Sequence, residues 1–382
     1  MLNKNKLRYT LPVAVLAAGF SFITPVFAFT ESELTVTAGN RIYRYYYPEI
    51  DTYYGEPYLK NLESVANGIY LDTLVRPCDA TVAFYPDRKE KFAFTNEKTG
   101  REIDKEKLCS EIKNALKNGE KNVKAVFKEI SPDKTVTDLK KETNKKSEFS
   151  TRYVFSSAER KSNIKLAASK ITGTKLEAGK TFSFNATVGA RTEANGFKLA
   201  KIIENNKFAD GIGGGVCQVS TTVYNAAILA GMTATEFHNH SLLVSYVEPS
   251  FDAMVSSGFA DLKFRNDSGG NIYISCAADD NHITVGFYGL YSDYKYKRIS
   301  EVVETTEAEE DEIIFTEDIP EGTEQILING KNGAKSVGYL DVYKCDKYIG
   351  RIKLRTDSYN PLRGVRLKGG KQPINPGFHI FS

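Results

Sequence analysis

Tryptophan is absent from this 382-residue chain, and so is any marked excess of charge of one sign. Lys and Arg total 51 against 48 Asp and Glu, a formal net charge of +3. That balance argues against nucleic acid as a partner, because binding phosphates needs concentrated positive charge. Without Trp, any stacking on sugar rings falls to tyrosine, as in Tyr43-Arg-Tyr45-Tyr46-Tyr47 and Tyr53-Tyr54, runs that equally suit a core or an edge strand. Cysteine is scarce and odd in number: Cys78, Cys109, Cys217, Cys276 and Cys345. At least one thiol is therefore unpaired. With Cys217 free, Cys78 can pair with Cys109 and Cys276 with Cys345; the alternative is five free thiols.

Long apolar runs are also lacking, with one exception. Lys4, Lys6 and Arg8 precede the uncharged stretch Leu11 to Phe27, and Val26-Phe27-Ala28 offers a small residue at its end. This predicts an export signal over residues 1–28. The alternative is an uncleaved anchor, the sole membrane contact expected. The rest of the chain is then expected outside the cell, in the wall or on the outer face of the cytoplasmic membrane.

Residues 29–79 are Tyr-rich, contain Pro48 and Pro57, and read as a loosely structured lead-in. From 80 to 140 the pattern is that of a small α+β unit. Thr81–Tyr85 and Lys91–Thr95 alternate like the strands of a hairpin. Asp104 to Gly119 has Leu108, Ile112 and Leu116 at helical spacing. Asn122 to Ile130 suggests one strand, and a short helix begins near Thr135 with Thr137 as its cap. The charged stretch Lys140 to Lys146 reads as a solvated linker. Ser157 to Ser169 reads as a helix, and Asn271–Cys276 with His282–Tyr288 as a hairpin.

The densest chemistry lies between Gly211 and Asp252. Gly213, Gly214 and Gly215 lead through Val216 into Cys217, which opens an amphipathic helical run ending near Gly231. A thiol at a helix start has its thiolate favoured. His238, His240 and Asp252 follow. Cys217 as nucleophile, His240 (less favourably His238) as base and Asp252 as orienting group would make a cysteine enzyme, with N–H groups of Val216 to Gln218 for an oxyanion. A second reading is a binding module. There the glycine loop, Gln218, Ser220, Thr221 and Arg191 hold an anion such as the carboxylate of a peptide stem. A third is a metal site in which His238 and His240 share a strand face with Cys217 or Asp252. Of the three it is the weakest; no metal or cofactor is expected.

Phe182-Ser-Phe-Asn, Val188-Gly-Ala-Arg191-Thr-Glu193, Gly211-Ile-Gly-Gly-Gly-Val-Cys217-Gln-Val-Ser and His238-Asn-His240-Ser together resemble a VanW domain, expected over residues 149–298. Ala190 stands where that family often has Pro, and Phe237 where it often has Arg. Phe92-Ala-Phe-Thr, Gly100-Arg-Glu-Ile-Asp104 and Pro132-Asp-Lys-Thr resemble the peptidoglycan-binding domain found upstream of VanW domains. Ile319-Pro-Glu-Gly322, Asn329-Gly330 and Val337-Gly-Tyr339 resemble a G-five domain over 299–370, followed by a tail at 371–382. The family takes its name from glycopeptide-resistance gene clusters. The resemblances imply an α+β multidomain protein: a small α+β N-terminal domain, an α+β VanW domain and a small all-β C-terminal domain. They imply peptidoglycan or its peptide stem as partner, with amino sugars at the C-terminal domain.

Overall fold

The computed structural model describes residues 33–204 and 207–371. The signal expected over 1–28 and most of the tail lie outside the described residues. The fold is α+β, in two compact units. No helix among the described residues is long and apolar enough to cross a membrane.

The first unit comprises residues 33–76 and 99–130. Its strand Leu34–Ala38 pairs antiparallel with Arg41–Tyr45 and parallel with Asn122–Lys124. A hairpin of Ile50–Tyr53 and Glu56–Leu59 leads into helix α1, Leu62–Thr73. Helix α2, Lys105–Asn118, starts where Asp104 accepts the Lys107 N–H at 3.0 Å and stops at Gly119, whose φ of 71° suits glycine. Leu34, Val36, Ile69, Ile103, Leu108 and Ile112 fill the core.

Three expectations are corrected here. Residues 34–59 are not a loose lead-in: Leu-Thr-Val-Thr-Ala alternates buried and half-buried positions, the signature of a one-faced strand. The predicted strand 122–130 is two strands, Asn122–Lys124 and Phe127–Ile130, the second pairing with Gly100–Ile103. The hairpin Thr81–Phe84 with Phe92–Thr95 belongs to the second unit, where Phe84 and Phe92 pack tilted and edge-on against Tyr273 and Tyr288.

The second unit holds residues 77–98 and 131–371. Helix α3, Val136–Lys141, is capped by Thr135, not Thr137, with Asp138 closing a reciprocal capping box. The strand Asn144–Arg152, expected partly as linker, edges a four-stranded antiparallel sheet with His282–Gly289, Ile272–Ala278 and Thr174–Leu176. Helix α4, Ala158–Ile171, is capped by Ser157. A short helix α5, Phe184–Val188, follows. The hairpin Leu199–Glu204 with Lys207–Ile212 then delivers the chain into helix α6, Val216–Leu229.

Helix α6 is not amphipathic. It is buried on every side, against the strand Asn144–Arg152, α4 and the strand Tyr294–Thr306. Its polar residues Gln218, Ser220, Thr222 and Asn225 are buried and hydrogen-bonded, as burial requires. Beyond it, an all-β part contains two three-stranded sheets. One is Tyr294–Thr306, Gly333–Lys344 and Lys347–Tyr359; the other is Glu312–Thr316, Val365–Gly369 and Glu324–Ile328. All five cysteines are free, so neither expected disulfide forms.

Candidate functional site

The three glycines before α6 answer two steric demands. Gly213 and Gly215 have φ of 88° and 105°, in the left-handed region that side chains disfavour. Gly214 has no such angle, but a Cβ there would lie 2.6 Å from the Lys201 carbonyl oxygen. The chain therefore turns tightly against its own hairpin and presents Cys217 in the first turn of α6.

Cys217, His240 and Asp252 converge. His240 is buried, and its Nδ1 lies 2.7 Å from Asp252 Oδ2. The His240 backbone N–H donates to the same oxygen at 2.7 Å. With Nδ1 so engaged, Nε2 is the ring nitrogen left for the Cys217 thiol, and the two groups interact strongly enough to shift each other's protonation. Burial disfavours the charged imidazole, yet the Asp252 hydrogen bond and the nearby Cys217 sulfur outweigh it and raise its pKa to about 9. Burial likewise opposes the thiolate, but the neighbouring His240 imidazole overrides it and holds the Cys217 pKa below the ordinary thiol value. Both shifts favour a thiolate–imidazolium pair. The Val255 carbonyl oxygen, 3.4 Å from Sγ, accepts a bond only from the protonated thiol. That contact does not reverse the shift, because the cationic ring and Arg191 act on the charged form.

Asp252 is buried too, and its partners come from far along the chain. Tyr359 O–H donates to Asp252 Oδ1 at 2.6 Å and accepts the Ser250 N–H at 2.7 Å. Arg355 donates to the Asp252 carbonyl at 2.8 Å and forks onto Asp357 at 2.6 and 2.9 Å. Its guanidinium also lies 4.8 Å from the Phe237 ring centroid. The strand Lys347–Tyr359 thus builds the back wall of the triad.

Cys217 and His240 line a cavity of about 1100 Å³ shared with Arg160, Arg191, Tyr246 and the glycine loop. Arg160 donates to Ser156 and to Gln218 Oε1, both at 2.8 Å. Arg191 donates to Ser257 at 3.0 Å and Asn185 at 2.5 Å. Burial, with Cys217 nearby, holds the Tyr246 phenol well above its ordinary range.

Other expected site residues do different work. His238 is partly exposed and faces Glu236 at 3.3 Å, because residues 237–240 are not a strand and the two histidines do not share a face. Among the described residues no cluster of three or more His, Cys, Asp or Glu is placed to hold a metal. Ser220 donates to the Ala253 carbonyl at 2.5 Å, and Thr221 accepts the Ala253 N–H at 3.0 Å. Asn225 donates to the Phe251 carbonyl at 2.7 Å. These three pin the Asp252 segment to α6 and are spent. Gln218 anchors Arg160 and donates to Thr151 and the Arg152 carbonyl. The Val216 and Gln218 N–H groups bond the Gly213 and Gly215 carbonyls at 3.1 and 3.0 Å. That leaves the Cys217 N–H, which has no acceptor among the described residues. Sequence reasoning missed Arg160, Tyr246, Arg355 and Tyr359. Arg160 alone had a local signal, one turn into a capped helix that packs on α6.

Residues 159–288 match the family described as VanW like protein. The chain carries a VanW-like domain. Residues 60–124 match a second family, "Putative peptidoglycan binding domain". Uncharacterized protein YoaR of Bacillus subtilis (strain 168) is 40% identical over 124 residues, which is 32% of this chain and 41% of YoaR. Vancomycin B-type resistance protein VanW of Enterococcus faecalis (strain ATCC 700802 / V583) is 31% identical over 127 residues, 32% of this chain and 46% of that protein. The chain thus spans less than half the length of these relatives. A G5 domain structure of an IgA1 protease is similar at 22% identity, covering 22% of this chain and 98% of that one, with a TM-score of 0.14. The VanW-like domain of this chain includes Cys217, His240 and Asp252, whereas Arg355 and Tyr359 lie beyond its matched range.

Proposed function

We propose that this chain is an exported cell-wall protein whose VanW-like domain is a cysteine-dependent acyl transferase acting on amide bonds of peptidoglycan peptides. The observation that carries the reading is the Asp252–His240–Cys217 relay, in which a buried carboxylate orients an imidazole toward a thiol at a helix start in an open cavity.

The Cys217 thiolate attacks the amide carbonyl carbon. Its oxygen is met by the Cys217 N–H and the field of the helix start. The C–N bond breaks, the imidazolium proton goes to the departing amine, and a thioester remains. Water or a second amine then attacks the thioester, passing its proton to His240, and the thiolate leaves. Water gives hydrolysis; an amine gives transpeptidation. Asp252 keeps Nε2 aimed at the sulfur and stabilises the charged ring throughout.

The wall as partner is supported by the match of residues 60–124 to a peptidoglycan-binding family. The first unit also exposes Tyr53, Tyr54 and Tyr58 on one hairpin, where bare rings suit stacking on sugars.

Incubating the full chain with purified peptidoglycan and separating the products tests this. The wild type should release or rejoin peptides, and Cys217→Ala should lose that activity while still sedimenting with the wall. Equal products from both proteins would end the cysteine mechanism.

A further inference from the structure

The cavity around Cys217 is lopsided in charge. Arg152, Arg160, Arg191, Lys201 and Lys331 line it, and among the described residues no Asp or Glu does. Lys201 is matched by Asp210 at 3.0 Å. Arg160 and Arg191 are not matched: each is half-buried, each is held by neutral oxygens, and neither has a carboxylate within 4 Å among the described residues. Asp261, an acid whose charge is felt at Arg191, is occupied by Ser183 at 2.5 Å and by the Asn185 N–H at 2.8 Å. Burial lowers the proton affinity of both guanidiniums.

Half-burying an arginine without a counter-ion is costly, and proteins commonly accept that cost where an anionic ligand completes the pair. The single Cys217 thiolate does not account for two such groups, because its charge is already met by His240. Neutral side-chain clamps fix both forks while leaving further N–H donors to face the cavity.

Resting on the acyl-transfer reading above, we infer that the substrate carries a free carboxylate beside the scissile amide, and that Arg160 and Arg191 receive it. Two sources share this chemistry: the terminal carboxylate of the departing residue, and the side-chain carboxylate of a residue next to the amide.

Alkylation of the full chain tests this without a known substrate. Iodoacetate and iodoacetamide react identically at sulfur: an S–C bond forms, a C–I bond breaks and iodide departs. They differ only in a carboxylate. Peptide mapping reads the rate at each cysteine, with exposed Cys78 as internal reference. The iodoacetate-to-iodoacetamide rate ratio at Cys217 should exceed that at Cys78 by about tenfold, the worth of a charge-assisted hydrogen bond. Arg191→Gln and Arg160→Gln should each lower the ratio, and Arg191→Lys should retain part of it. Because it is a ratio, any change in thiolate content cancels, so the result does not depend on how the substitutions move the thiol pKa.

Protection from iodoacetamide by a blocked dipeptide with a free C-terminus assigns the terminal source. Protection by a blocked glutamate amide assigns the side-chain source, and protection by neither overturns the inference. A Cys217 that reacts readily with iodoacetamide yet shows the Cys78 ratio also overturns it while leaving the nucleophile in place. A Cys217 inert to both reagents removes the acyl-transfer reading itself.

Discussion

Replacing Asp252 with Asn removes one charge and almost no volume. Oδ2 accepts both the His240 ring Nδ1–H and the His240 backbone N–H. An Asn oxygen can take that place, with its NH₂ turned toward Tyr359. The imidazole then keeps its aim but loses a charged partner. A hydrogen bond to a charged group contributes about 1.5–3 kcal/mol and a neutral one about 0.5–1.5, so the imidazolium loses about 1.4 kcal/mol, one pKa unit. The sign follows from the shifts. His240 is raised to about 9 largely through Asp252 and Cys217, so weakening Asp252 brings it down. A less stable imidazolium supports the thiolate less, so the lowered Cys217 pKa rises. The rate of iodoacetamide alkylation at Cys217, mapped from pH 4 to 10, reads this directly. The wild type should turn on at a pH below that of an ordinary thiol. Asp252→Asn should shift the profile upward by about one unit, lowering the rate about tenfold below both midpoints. Superimposable profiles would refute the claim that Asp252 acts on the sulfur through His240.

Tyr359→Phe deletes a donor to the buried Asp252 carboxylate and orphans the Ser250 N–H. We expect a loss of about 2–4 kcal/mol in denaturant unfolding together with slower Cys217 alkylation, and unchanged values would remove the strand Lys347–Tyr359 from the site. Gly214→Ala would drive a methyl into the Lys201 carbonyl oxygen and the Ala200 backbone, none of which can yield cheaply. It should cost about 1–3 kcal/mol in the same assay. His238→Ala should leave alkylation within about twofold of wild type, because that ring faces Glu236; a large loss would reinstate it as the base.

Much of this site was legible before any coordinate. The glycine run before Cys217, the later histidines and Asp252 carry local signals, since left-handed turns need glycine and a relay needs those three side chains. The hairpin at 272–289 was likewise readable from its alternation. What escaped was non-local. Tyr359 meets Asp252 across 107 positions, and nothing around Tyr359 marks it. The all-β segment reads as a separate module, yet its strand Lys347–Tyr359 packs its polar residues into the triad. Ser220 and Thr221 read as ligand donors because hydroxyls near a glycine loop suit anions. In the fold they are sealed in α6 and satisfied by Ala253. In the tyrosine-rich start, composition points to a loose segment, whereas the alternation of Leu34 to Ala38 marks a strand.

The most direct measurement is the intact mass of the full chain, quenched in acid during incubation with soluble peptidoglycan peptides and then mapped by fragmentation. The account predicts a transient acyl adduct on Cys217, absent from Cys217→Ser. Products that form at the wild-type rate in Cys217→Ser, with the sulfur never modified in the wild type, would contradict it.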